Sequence, residues 1–383
     1  RGEALLIRGI LAFNDLWAMR DAHAAAHELL SGRSAISSRR MIWNFACPHS
    51  AYLFLREPGT YAAMIDLLKG GLQYFHDLSD GCSQGAELLF EAEFLLERGA
   101  FAEVESLLRA AEMRAKSKEQ ATVLLSAAFT RSRLLAAQGR HEEAEAALAA
   151  ITPRIQALGH VELSTCLDLA LGYLRASAGA LADVPAWLRE DEIPPSRSVL
   201  QMAGFIQAVR GKAALAGGDY ARLDALARAL PDSQGPFANV FGRIHAKVQE
   251  SIAARRLYGM EKARTALQEA LDLARPDGIV LSMAEYGEHL LPVLRLLCVQ
   301  QPQDAFASVV LHAAGRYAPD GNGAAQGRFA PREEAVMRLA GQGLRDAEIA
   351  TKLGLAPKTV RNTLSGIYAK LAVKNRVQAL RMW

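Results

Sequence analysis

Aromatic residues make up only 7% of this 383-residue chain, while 51% of it is hydrophobic with alanine and leucine prominent, a balance that favours packed helices over sheets. No apolar run approaches the ~18 residues of a membrane span, and no signal peptide opens the chain. The four cysteines, Cys47, Cys82, Cys166 and Cys298, form no C-x-x-C pair. That argues against a zinc site or a disulfide framework and for reduced core thiols in a cytoplasmic protein. A phosphate-cradling G-x-x-x-x-G-K-[ST] is also missing: Gly211-Lys212 has Ile206 where the first glycine belongs and Ala213 after it. There is no G-x-S-x-G elbow and no H-E-x-x-H pair. His23 and His27, spaced i and i+4, lack both the following Glu and a third ligand, so a surface histidine pair is expected instead of a metal site. Glu91, Glu93 and Asp80 are expected on a solvated face. Neither an enzyme nor a resident cofactor or metal is expected. Since the chain begins at Arg1 without Met, it is expected to be processed or a piece of something longer.

What is present concentrates near the end. Pro331 suits the first turn of a helix, and Glu333 and Glu334 place negative charge at its positive end. Val336, Leu339 and Ala340 follow at helical spacing, and Gly341 and Gly343 stop the helix. A second helix is expected from about Asp346, its N-cap, to Leu353, ended by Gly354; a third begins at Pro357. Two short helices joined by a glycine-containing turn are the helix-turn-helix unit, whose second helix enters the DNA major groove.

On that helix Val360, Leu364, Ile367 and Leu371 make one buried stripe, and Lys358, Arg361, Asn362, Ser365 and Lys370 occupy the opposite side. A guanidinium can bond guanine O6 and N7 together, a carboxamide can do the same for adenine, and hydroxyl and ammonium groups suit phosphate. Residues 328 to 383 hold 11 Lys and Arg against 4 Asp and Glu, a net +7; the chain total of +3 leaves −4 elsewhere. A basic module on a mildly acidic chain is the footprint of something that meets phosphate.

These motifs, Phe329-Ala330-Pro331-Arg332-Glu333, Gly343-Leu344-Arg345-Asp346-Ala347-Glu348-Ile349-Ala350 and Pro357-Lys358-Thr359-Val360-Arg361-Asn362, resemble the LuxR-type (GerE-like) helix-turn-helix domain of bacterial transcription factors. The resemblance implies that Arg361, Asn362 and Ser365 face the groove and that Lys358, Thr359 and Arg376 contact phosphates of double-stranded DNA. It also implies that a fourth helix, Asn375 to Met382, can serve as a dimer surface. Ala356 and Arg345 stand where the family has N-capping Ser, so each cap must come from a neighbour or be weaker, and Thr363 replaces a common His.

Upstream, Gly59, Gly99, Gly139, Gly179, Gly218 and Gly259 recur at intervals of 40, 40, 40, 39 and 41, each followed by a similar turn into an apolar helix. An earlier unit is expected at Trp17 to Ala22, with Met19 in place of the glycine. Each interval has room for two helices, for example Gln120 to Gln138 and Glu142 to Leu158, the latter kinked or broken near Pro153. About seven such hairpins stacked together would curl into a superhelix with a concave face. The pattern resembles tetratricopeptide-like repeats, and in particular the sensor region of MalT-like regulators, in which repeats lie between an N-terminal ATPase and a C-terminal LuxR-type domain. Leu273 to Val280 and Ala284 to Leu294 resemble the last repeat of that region. By this resemblance ATP would act only through an upstream domain absent from this chain.

The expected architecture is therefore all-α: a repeat domain over 1–314, a glycine-rich flexible linker over 315–327 and the helix-turn-helix domain over 328–383. Arg40, Trp43, Asn44, His49, Tyr52 and Arg56, within 18 residues, could line a concave pocket for a small polar or anionic ligand, unless the rings are repeat core and the arginines cap helices. The function expected is a transcriptional regulator that binds DNA as a dimer, controlled by a small-molecule effector or a regulatory protein, with RNA polymerase a further partner. The competing class is an interaction scaffold that binds a peptide or protein in its groove and has an accessory DNA contact.

Overall fold

The computed structural model describes residues 1–12, 15–41, 45, 47–192, 199–234, 237–317, 331–341, 344–370, 376 and 379. The chain is all-α, without a strand among the described residues, and divides into two compact units, Arg1–Ala314 and Gly315–Trp383. In the first unit, α1 (Gly2–Leu11) and α2 (Leu16–Leu29) precede a long irregular stretch. Then follow α3 (Tyr61–Leu78), α4 (Ala86–Glu97), α5 (Val104–Ser117), α6 (Ala121–Ala137), α7 (His141–Leu158) and α8 (Val161–Ser177). They continue as α9 (Ala186–Arg189), α10 (Val199–Ala216), α11 (Tyr220–Gln234), α12 (Val240–Leu257), α13 (Met260–Ala274), α14 (Leu281–Ala284), α15 (Leu291–Gln300) and α16 (Ala305–Tyr317).

Two kinds of helix alternate. Outer helices such as α5 bury a single stripe, Val104, Leu108, Ala111 and Ala115, at spacings of 4, 3 and 4. Inner helices such as α6 and α12 are buried nearly all round, because α4, α6, α8, α10 and α12 pack in succession against one another while α5, α7, α11 and α13 cover them from outside. The corners are the glycine series: Gly59, Gly99, Gly139, Gly179, Gly218 and Gly259 all have positive φ, between +71° and +101°. At the last five a β-carbon would meet nothing within 4 Å, so backbone conformation and not space demands glycine there.

The structure departs from the sequence expectation in four places. Met19 is no corner; it is a buried residue inside α2. The expected regular hairpin before Gly59 is missing, and no helix forms among the described residues from 30 to 60. Helix α7 runs unbroken through Pro153, which sits on an exposed position where water can satisfy the carbonyl left without a donor. Most consequentially, the concave face is filled by the chain itself. Residues 279–287 are buried without interruption, and α14 packs against both α12 and α4, so the inner helices close around it. Val280 N donates to Glu97 O (2.7 Å), and Asp277 accepts from Gly59 N and Tyr61 N at 2.7 and 2.9 Å, which ties the last repeat to the first.

The second unit has its own core. Helices α17 (Pro331–Gly341), α18 (Asp346–Leu353) and α19 (Pro357–Lys370) enclose Val336, Met337, Ala340, Ile349, Ala350, Val360, Leu364, Ile367 and Ala379, with Leu339 partly buried against them. Gly354, at φ +63°, ends α18. Most of the expected linker, with Leu371 and Gly343, lies outside the described residues; of the expected fourth helix only Arg376 and Ala379 are described, and both are helical.

Candidate nucleic-acid interface

The joint between α18 and α19 is set by local chemistry. Asp346 is not the N-cap of α18: the cap is Arg345, whose N–H donates to Glu348 Oε2 at 2.6 Å, the half of a capping box that needs no Ser. Asp346 is freed to pair with Arg376, at 3.4 Å. Helix α19 starts on the carbonyl of Ala356, which accepts from Thr359 N at 2.9 Å and Val360 N at 3.3 Å.

Because Val360, Leu364 and Ile367 are buried at 0%, 3% and 0% exposure, helical geometry turns the remaining face outward. Lys358, Arg361, Asn362 and Ser365 are all exposed, Thr359 is half-buried, and α19 contains no acidic residue. This face therefore offers a fork of N–H donors, a carboxamide and a hydroxyl with one flanking ammonium, that of Lys358, and no anion of its own helix. Thr363 donates its hydroxyl back to Thr359 O at 2.9 Å.

Arg376 stands apart from the other expected contacts. Its Nη2 donates to Ala340 O at 3.0 Å and to Leu344 O, and its Nη1 faces Asp346. The guanidinium is spent on pinning the last described turn to the ends of α17 and the start of α18, a structural tie where the resemblance implied a phosphate contact.

Of the six residues expected to line a ligand pocket, the four that are described are not assembled in one. Trp43 and Asn44 lie outside the described residues. Arg40 is exposed and Arg56 half-buried, whereas His49 and Tyr52 are deep in the core, with ring centroids 4.6 and 5.7 Å from that of Phe241. The loop carrying them is organised by Glu93, which accepts from Ser50 N (2.8 Å), Ser50 Oγ (2.7 Å) and Ala51 N (2.9 Å). Glu93 is 1% exposed, so it belongs to no solvated carboxylate face, and burial pushes it up to about 7 despite the opposing donors of Ser50 and Ala51. Glu91 and Asp80 are surface groups paired with Lys69 and Lys118. His23, expected at the surface, is buried against Phe75, and burial lowers it to about 4. Three of the cysteines are buried and free and Cys298 is half-buried; no metal-binding cluster occurs among the described residues.

Sequence reasoning missed the polar groups at the centre of the first unit. Arg133 forms ion pairs with Glu97 and Glu285, each at 2.7 Å, and all three are at most 5% exposed. Lys212, set aside as a failed phosphate-loop lysine, is 2% exposed and lies 4.4 and 4.1 Å from the ring centroids of Tyr173 and Tyr286. The signal available was a charged residue at a position where the helical period calls for an apolar one.

Comparison with known proteins bears on the second unit. Residues 328–383 match the family described as "Bacterial regulatory proteins, luxR family". The chain is 45% identical over 74 residues to "Probable HTH-type transcriptional regulator GfsR" of Streptomyces halstedii, covering 17% of this chain and 30% of that protein. It is 42% identical over 52 residues to "Putative HTH-type transcriptional regulator Rv0890c" of Mycobacterium tuberculosis, covering 14% of this chain and 6% of that protein. The chain thus spans less than a third of the length of these relatives. With the exposed cationic helix and its glycine-jointed partner, the match identifies residues 328–383 as a luxR-family helix-turn-helix domain at the C-terminal end of an all-α chain.

Proposed function

We propose that this chain regulates transcription by sequence-specific binding of double-stranded DNA through α19, under control of the repeat unit. The observation that carries the reading is that Arg361, Asn362 and Ser365 share the exposed side of a helix whose other side is the core of a luxR-family domain. Arg361 and Asn362 read base edges, and Lys358 and Thr359 hold phosphate and set the register. Arg376 acts indirectly, by fixing the angle between α17 and α18.

A single module of this size makes few contacts, so two modules on neighbouring half-sites bind far more tightly than one. The repeat unit controls whether they pair, in response to a small molecule or a partner protein. The relatives' printed names, both HTH-type transcriptional regulators, support the transcriptional part of this reading. No helix among the described residues is long and apolar enough to cross a membrane, which fits an encounter with DNA in the cytoplasm.

The test is selection of duplexes from a random-sequence library by the full chain, followed by titration of the recovered sequence and a scrambled one. A recovered motif whose preference relaxes in Arg361→Ala and Asn362→Ala supports the reading. Equal affinity for recovered and scrambled duplexes, unchanged by either substitution, removes it.

A further inference from the structure

At the centre of the repeat unit a carboxylate sits in a socket that belongs to other helices. Arg133 on α6 donates from Nε to Glu285 Oε1 (2.7 Å) and from Nη2 to Glu285 Oε2 (3.1 Å), the side-on fork that guanidinium groups use for planar carboxylates. Tyr173 on α8 donates its phenol to Glu285 Oε2. Lys212 on α10 contributes a second positive charge. Burial pushes Glu285 up, but Arg133 and Lys212 outweigh it and hold the carboxyl below its usual range. Three helices thus converge on Glu285, which comes from the chain's own central segment, while Glu97 on α4 takes a further contact from Arg133 Nη2 at 2.7 Å.

The second observation is what the socket leaves over. Lys212 Nζ, Tyr52 Oη and Tyr61 Oη have no hydrogen-bond partner among the described residues, and all three side chains are at most 2% exposed. They belong to one connected cluster. Phe241 packs against Tyr52 and Tyr61, while Phe205 joins Tyr52 to Tyr173, and Lys212 lies against the Tyr173 ring. A buried donor without an acceptor costs free energy on folding, and three in one cluster are not what packing alone selects.

The third is the way in. Gly278 (φ +68°) and Gly287 (φ +47°) bracket the segment, and the turn after Glu285 reaches solvent at Glu288, three residues on. Between those glycines Ile279, Leu281 and Met283 are at most 3% exposed, whereas Glu288 is exposed and His289 half-buried.

We propose that this socket binds a small hydroxylated carboxylate and that Glu285 is the protein's internal stand-in for it. The ligand's carboxylate takes the fork of Arg133 and the phenol of Tyr173, and its hydroxyl groups accept from Lys212, Tyr52 and Tyr61. Glu285 is displaced with its turn, in the segment that leads through α15 and α16 toward the second unit's part of the chain. This rests on the repeat unit being the sensor and names the class of effector it takes.

The experiment is rescue of Glu285→Ala in the full chain by acetate, with acetamide as the uncharged control and Glu285→Gln as the variant whose socket stays filled. Acetate is expected to raise the thermal midpoint of Glu285→Ala saturably, by roughly 2 °C or more, with no such rise for Glu285→Gln. Should Glu285→Ala not fold alone, the same comparison is made on its yield of folded protein when refolded with acetate or acetamide. Equal effects of the two compounds, or no effect of acetate on either readout, overturn the proposal. Rescue without any change in DNA affinity keeps the site and removes the sensor reading, so the two can fail separately.

Discussion

The two units handle their polar residues in opposite ways. In the helix-turn-helix unit Lys358 and Arg361 of α19 stand on the outside of a small apolar core, open to a partner. In the repeat unit the decisive charges, Glu93, Glu97, Arg133, Lys212 and Glu285, are all at most 5% exposed at the centre. Removing an outward group should change binding and leave stability alone, whereas removing an inward one should change stability first. A surface charge interacts through water, while a buried one has already lost its hydration and depends on the few groups around it.

The largest expected departure follows from Arg133. Arg133→Met should strand Glu97 and Glu285 without their cation and cost about 3 to 5 kcal/mol, read as a lower urea midpoint of the full chain. A loss under ~1 kcal/mol would show that the centre is hydrated and erase the contrast between the units. Lys212 should behave in the opposite sense. Its ammonium is lowered to about 8 by burial, with Glu285 opposing that shift and Arg133 adding to it, and it has no hydrogen-bond acceptor among the described residues. Lys212→Met should therefore be neutral or stabilising, by up to ~2 kcal/mol, and a large loss would mean that an acceptor reaches it in solution.

On the outward side, Arg361→Ala should weaken binding to the preferred duplex by ~1 to 3 kcal/mol and relax base preference, with the melting temperature unchanged. Lys358→Ala should weaken all duplexes alike and lower the salt slope by roughly one. Identical behaviour of the two variants would mean that the helix face does not divide into base and phosphate readers.

The pH dependence sharpens the inward side. Glu93 holds its proton to about pH 7 in the folded chain, above the unfolded carboxylate value near ~4.3. The folded state then binds more protons across that interval, so this contribution is full below the unfolded value and is lost as pH rises through about 7. The stability difference between the native chain and Glu93→Gln, measured by urea unfolding at pH 5 and pH 8, should shift in favour of the variant at the higher pH. The smallest effect is expected at a corner. Gly139→Ala meets no steric obstacle but must adopt φ +76°, and should cost about 1 kcal/mol with binding unaffected.

Legibility in the sequence follows the same division. The residues that face outward on α19 could be read because exposure there is periodic, and Val360, Leu364 and Ile367 define the buried side by themselves. The corner glycines could be read because a positive φ is a local requirement, met within a few residues. Arg376 was misjudged, since nothing local says that its guanidinium is taken up by Ala340 O, Leu344 O and Asp346. His49 and Tyr52 were grouped by nearness in sequence with Arg40 and Arg56, but a loop held by Glu93, more than 40 residues away, sends the rings inward and leaves Arg40 exposed and Arg56 half-buried.

By itself the sequence determined the all-α character, the forty-residue spacing of the corners from Gly59 onward and the outward face of α19, because helical period, glycine conformation and charge act over one or two turns. Only the tertiary structure decided that the concave side is filled by residues 279–287 and that Arg133, Lys212 and Glu285 meet there. Arg133 and Glu285 are 152 positions apart, and what brings them together is closure of the repeats around a segment whose residues from 279 to 287 are all buried.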